Sequence, residues 1–214
     1  LPVEGYASYL RQLDVLDRLL ARTCGTAAAA SARGTRVGVY LDEWSIWHPG
    51  ATAHNGLSQQ VTLGDSLWAA AAFHLLHRHA QWLDMANIAQ TANVLQAKIL
   101  TRGPETILTP TYHVFEMFMP HRDGRTVPAA ASDGGTLESI GLAGRPRVSH
   151  SASVNPAGTE LFVSLVNLDE SAAESVELHL ASRRAWRPER LRRLAGAGRN
   201  ATNDFGGRGG AVAP

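Results

Sequence analysis

An α/β unit that gives way to antiparallel β structure is the fold class this sequence predicts. Three observations predict it. Up to about residue 122, apolar runs of strand type alternate with amphipathic helical stretches. Residues 123–147 are then dominated by Gly, Pro, Ser and Asp. Beyond them, "ELFVSLVNL" and "SVELHL" alternate with the two-residue period of half-buried strands. The chain therefore divides into an α/β part, residues 1–122, and part of a β-sandwich, residues 123–214.

The first element is a helix. Tyr6, Leu10, Leu13, Leu16 and Leu20 recur at helical spacing and make one apolar face, which is expected to be covered by something outside this sequence. The alanine-rich "TCGTAAAASARG" that follows reads as a loop. A strand is expected over about residues 35–43, where Val37 to Leu41 form an apolar run of the kind buried on both faces in parallel sheets. A loop rich in Gly, His and Asn leads to a helix over about 63–79. Thr62 and Asp65 form its capping box, and Trp68, Ala72, Leu75 and His79 form its stripe. "WLDMANIAQ" is short enough to be a second buried strand. The third helix opens at "LTPTYHVFEMF", with Thr109 as cap and Pro110 at the first helical position, which tolerates proline. In the second part, Val176, Leu178 and Leu180 are expected to face a core while Glu177 and His179 face water. The sandwich is expected to stop at "GGAVAP", just short of its last strand.

Composition narrows the function classes. The 214 residues are 44% hydrophobic and 18% charged, enough for proper cores. A net charge of +1 favours neither nucleic acid nor an anionic membrane, and the arginines between Arg183 and Arg193 read as a solvated surface. No apolar run approaches the roughly 20 residues of a membrane span. Cys24 is the one cysteine, which rules out an internal disulfide framework and fits a reducing compartment.

The informative stretch is "RVGVYLDEWSIWHPG", where a strand ends in two carboxylates bracketed by aromatics. In parallel α/β architectures the active site lies at the carboxyl ends of the strands. Glu43 and Gln90 would share that rim. Successive strand side chains point in opposite directions, so one of Asp42 and Glu43 faces the site and the other supports it. A carboxylate beside Trp44 and Trp47 suits a sugar stacked on an aromatic face while a charged group works at its anomeric carbon. His74 and His77 share a helical face, but spacing indicates no further ligand, so no metal is expected.

Four segments, "YLDEWSIWH", "LGDSLWAAAAFHLLHRHA", "MANIAQTANVLQAKILT" and "ILTPTYHVFEMF", resemble in order the carboxyl-terminal half of the α-L-arabinofuranosidases of glycoside hydrolase family 51. The match continues more weakly through "VSLVNLDE" and "RNATNDF". The resemblance implies the last βα units of a (β/α)8 TIM barrel followed by a jelly-roll-like β-sandwich. It also implies retaining hydrolysis of terminal α-L-arabinofuranosyl groups from arabinan, arabinoxylan or their oligosaccharides. On the matching motifs Glu43 is the nucleophile at the end of the seventh strand. Gln90, at the end of the eighth, bonds the sugar, and Trp44 and Trp47 shape the site. No metal or organic cofactor is implied. The expected partner is an arabinofuranosyl-containing glycan, with no nucleic acid or membrane. Family members commonly form homo-oligomers, and their usual location is the cytoplasm.

The sequence departs from the family: the earlier strands with their sugar contacts, among them a tyrosine near the end of the sixth, are absent, and the loop after Glu43 is shorter than in many relatives. The acid/base glutamate belongs to an Asn-Glu motif at the end of the fourth strand, and no equivalent precedes Glu43. The chain is therefore expected to be a fragment of a longer polypeptide, not a competent hydrolase alone and either marginally stable or prone to associate. Two other readings stay open: another retaining glycosidase on the same barrel, and a noncatalytic carbohydrate-binding or assembly module whose working part is the sandwich.

Overall fold

A computed structural model of the chain describes residues 3–32, 34–132, 134–207 and 212–214. It opens with a long helix, α1 (Val3–Ser31). Tyr6, Leu10, Leu13 and Leu20 are buried as their spacing predicts, and Leu16 is partly buried. Their cover lies within the chain, however. α2 (Leu63–Arg78) packs on this face and ties to it through the Trp68 indole, which donates to the Tyr9 carbonyl at 2.9 Å. The alanine-rich stretch read as a loop is helical to Ser31. Alanine has the best helix propensity, and Ala27 to Ala30 carry the helix past Gly25. Ser31 then turns the chain: its hydroxyl donates to the Ala27 carbonyl at 2.8 Å and accepts from the Val37 amide at 2.7 Å.

Strand β1 (Val39–Trp44) precedes α2, and β2 (Leu83–Ile88) follows it. The two strands pair in parallel, as the helix–strand alternation predicts. The readings of β1 as buried on both faces and of β2 as a buried strand are corrected, since Tyr40 is 64% and Met85 41% exposed. Within the described residues the sheet has only these two strands, so nothing covers its outer face. α2 begins with the expected capping box: the Asp65 amide donates to the Thr62 hydroxyl at 3.2 Å, and the Thr62 amide to the Asp65 carboxylate at 2.8 Å. The amides of Leu63 and Gly64 find acceptors in the carbonyls of Ala201 and Arg199, at 2.8 and 2.7 Å. The carboxyl-terminal segment thus satisfies the first turn of the helix.

An unforeseen hairpin comes next, β3 (Ile99–Arg102) and β4 (Glu105–Leu108), turning at Gly103 with φ of 57°. α3 (Pro110–Phe118) starts as expected, with the Tyr112 amide on the Thr109 hydroxyl. The second part contains β5 (Arg125–Val127), β6 (Thr136–Leu137), β7 (Leu142–Pro146), β8 (Val148–Val154) and β9 (Leu161–Asn167). β5, β8 and β9 form an antiparallel sheet, and β6 pairs with β7.

The "ELFVSLVNL" reading corresponds to β9, but "SVELHL" is corrected. No described strand pairs with it, and Val176, Leu178 and Leu180 are exposed. Alternation selects a face for a strand; a ladder partner is still required. Part of the expected end at "GGAVAP" lies outside the described residues. One core runs across the whole arrangement, joining Tyr6, Leu10, Trp44 and Trp68 to Leu137, Leu142, Val166 and Leu168.

Candidate active site

β1 ends in Glu43 and Trp44, and Gln90 lies two residues past the end of β2. Parallel pairing brings these ends together. Trp44 is in register with Ile88, and the Ala89 amide extends the ladder by donating to the Trp44 carbonyl at 3.0 Å. Between the pairs Leu41 with Ala86 and Trp44 with Ile88, β1 has one residue more than β2. This bulge falls on Asp42 and Glu43. It lets Leu41 and Trp44 both pack on the core while both carboxylates remain exposed.

Gln90 is exposed and adopts φ of 52°, the left-handed region that side chains with a Cβ disfavour. Trp47 is 56% exposed and its indole donates to the Ala51 carbonyl at 2.7 Å. Trp44 is placed differently. It is 5% exposed, its ring 5.4 Å from Phe73 and 6.2 Å from both Phe115 and Trp68 between centroids. Its indole N–H has no acceptor among the described residues. Glu43 and Gln90 are thus exposed at the carboxyl ends of the paired strands and Trp47 on the loop beyond β1, while Trp44 packs in the core.

Two glutamines that carry no sequence signal hold the backbone beyond Glu43. Gln96 is fully buried; it accepts from the Ile46 amide at 2.9 Å and donates to the Asp65 carbonyl at 2.8 Å and the Thr111 hydroxyl at 3.2 Å. Gln59 accepts from the His48 amide and donates to the Ile46 carbonyl, both at 3.0 Å. Asp65 does more than cap α2, because its second oxygen lies 2.9 Å from His48 Nε2. Loop glutamines and a single histidine follow no periodicity, so only the Asp65 cap was legible.

His74 and His77 face serines of β8 and β9, with ring nitrogens 2.7 Å from Ser149, 3.1 Å from Ser164 and 2.8 Å from Ser151. Among the described residues no three His, Cys, Asp or Glu side chains converge as a metal site would require. An exposed carboxylate, an amide and a half-exposed indole on one rim can grip a sugar, the amide by hydrogen bonds and the indole by stacking.

A family model described as the α-L-arabinofuranosidase C-terminal domain matches residues 42–213. An intracellular exo-α-L-arabinofuranosidase of Bacteroides ovatus is 37% identical over 156 residues, which cover 70% of this chain and 29% of that protein. The crystal structure of a GH51 arabinofuranosidase from Xanthomonas axonopodis pv. citri is 36% identical with a TM-score of 0.61, covering 76% of this chain and 33% of that one. A thermostable GH51 α-L-arabinofuranosidase from Thermotoga petrophila shares the fold at a TM-score of 0.64 and 24% identity, over 76% of this chain and 35% of that one. The chain thus spans about a third of the length of these relatives.

Proposed function

Because the chain belongs to the α-L-arabinofuranosidase C-terminal domain family of glycoside hydrolase family 51, we propose that its rim serves retaining hydrolysis of terminal α-L-arabinofuranosyl groups. The substrates are arabinan, arabinoxylan or their oligosaccharides. Residues 1–122 are the last βα units of a (β/α)8 barrel and residues 123–214 a β-sandwich domain. The observation that carries the reading is the convergence of Glu43 and Gln90 on adjacent carboxyl ends of two parallel strands.

Glu43 attacks the anomeric carbon and forms the glycosyl-enzyme, and the leaving oxygen departs with a proton from a second carboxylate about 5 Å away. The family's acid/base motif has no counterpart in these 214 residues, so the proposal assigns this chain the nucleophile alone. Gln90 bonds the sugar hydroxyls, Trp47 offers a stacking face, and Trp44 supports the rim from the core. The route needs no cofactor. The description of the Bacteroides relative as intracellular supports a cytoplasmic location.

The test is release of dinitrophenol from 2,4-dinitrophenyl α-L-arabinofuranoside by this chain and its Glu43→Ala variant, with and without azide. So good a leaving group needs little acid assistance, and azide can replace the base-activated water that frees Glu43. The expected result is azide-stimulated release yielding the α-arabinofuranosyl azide, lost in Glu43→Ala. Equal release by both proteins, or no azide product from the folded chain, overturns the assignment.

A further inference from the structure

The loop between β1 and α2 carries Trp47 out to the surface, yet half of an indole left in water orients itself poorly. What holds it begins at Asp65. This carboxylate is 1% exposed; one oxygen accepts from the Thr62 amide, and the other lies 2.9 Å from His48 Nε2. A carboxylate only accepts, so Nε2 carries a proton toward Asp65 and Nδ1 is the nitrogen left for a second partner. The Tyr9 hydroxyl meets Nδ1 at 3.0 Å, with the two rings edge to face at 5.2 Å. Burial, with the Asp65 charge behind it, pushes the Tyr9 phenol above its ordinary value, so it keeps its proton. His48 is thereby fixed in orientation between α1 and α2.

The contacts continue along the backbone. The His48 amide is held by Gln59, and the His48 carbonyl accepts from the Ala51 amide at 2.9 Å, closing a turn. The carbonyl of Ala51, which is buried against Ala89 and Leu95, is the acceptor of the Trp47 indole. An unbroken set of contacts therefore runs from the buried Asp65 through His48 and its turn to the exposed indole.

We propose that His48 is a positioning residue that, held by Tyr9 and Asp65, orients Trp47 as the stacking platform of the sugar site. The inference rests on the reading of this rim as an arabinofuranosyl site.

The experiment uses the full chain, 15N-labelled, with the Trp47 indole signal assigned through Trp47→Phe. In His48→Leu the Trp47 signal should move and its exchange with water should quicken. Affinity for methyl α-L-arabinofuranoside, titrated on the same spectra, should fall about tenfold, the worth of one hydrogen bond. His48→Gln, which keeps a donor for Asp65, should retain part of both. The buried Trp44 and Trp68 signals report whether the fold persists. If they collapse, Tyr9→Phe, which removes only the hydroxyl on Nδ1, carries the test in its place and should move the Trp47 signal in the same direction.

A Trp47 signal that stays in place overturns the proposal, including when affinity falls, since His48 would then touch the sugar itself. Should the wild-type chain bind no arabinofuranoside, the arabinofuranosyl reading fails by itself, and the indole signal still decides the part played by His48.

Discussion

Gln90 occupies a left-handed conformation with nothing in the described contacts to offset it. Its neighbours in the same loop show the contrast. Asn93, at φ of 63°, both donates to and accepts from Thr101 at 2.8 Å, and Leu95, at φ of 51°, is buried against Ala51 and Ala89. Exposed and unbonded, Gln90 keeps its strain, and uncompensated strain is a mark of a working position. Gln90→Gly should therefore stabilise the chain by about 0.5–1 kcal/mol, because glycine adopts positive φ freely, while sugar binding is lost with the amide. Urea midpoints and an arabinofuranoside titration of the same variant check both halves. A variant that is no more stable, or that binds as well as its parent, would remove Gln90 from the site. At this scale the sequence exposed Glu43 and Gln90 because strand ends are where parallel sheets place chemistry. It concealed Gln96 and Gln59, whose meaning depends on which backbone amides come near them.

At the scale of elements, α2 and the turn after α3 meet β8 through polar contacts beside the shared apolar core. Ser149, Ser151 and Ser153 alternate along one face of β8 and meet His74, His77 and His121 at 2.7 to 2.8 Å. Burial, reinforced by the neighbouring histidines, lowers His74 to about 3 and His121 to about 4, and burial lowers His77 as well. His150 and Arg78 add positive charge around His74, while Asp14 and Asp17 on α1 are engaged by Arg145, Arg78 and His79. A cavity of about 710 Å³ between α1, α2 and β8 is lined in part by His74 and His77.

The unfolded chain binds these protons near pH 6.5 and the folded chain does so only at lower pH, so stability is full above about pH 6.5 and falls as the medium is acidified. Each histidine removes about 1.4 kcal/mol per pH unit between its folded and unfolded values. Urea unfolding from pH 7.5 to 4.5 should show this decline, and His77→Gln should make it shallower. An unchanged slope in the variant would exclude His77 from the cause.

Legibility follows the same physics here. Caps at Thr62 and Thr109 could be read because local chemistry determines them, and the parallel β1–β2 pair because a helix between two strand-type runs makes a crossover connection. The β3–β4 hairpin was missed because its turn, "RGPE", also reads as a plain loop. "SVELHL" was overread because alternation does not supply a partner strand.

At the scale of the whole molecule, the largest core spans both parts, and apolar side chains outside it are exposed in two places that bear on association. The outer face of the β1–β2 sheet exposes Tyr40 and Met85, and further along the chain Leu178 and Leu191 are exposed. A net charge of +1 offers little repulsion between copies. The two surfaces are not equivalent in what they offer. Residues 175–181 present side chains on a segment without a ladder, whereas β1 and β2 present formed strands with outer edges unpaired among the described residues, a ready template for another chain.

Self-association should therefore run through the sheet. Sedimentation velocity over a hundredfold range of concentration should show larger species appearing as concentration rises. Tyr40→Lys with Met85→Lys should restore the monomer, while Leu178→Lys with Leu191→Lys should do so far less. A single monomer boundary across the range, or a stronger effect from the second pair, would contradict the assignment. The outcome also bears on the site, because Glu43 lies on the same strand as Tyr40. Copies that pair through β1 would crowd the rim, so the doubly charged variant should bind arabinofuranosides at least as well as its parent at high protein concentration.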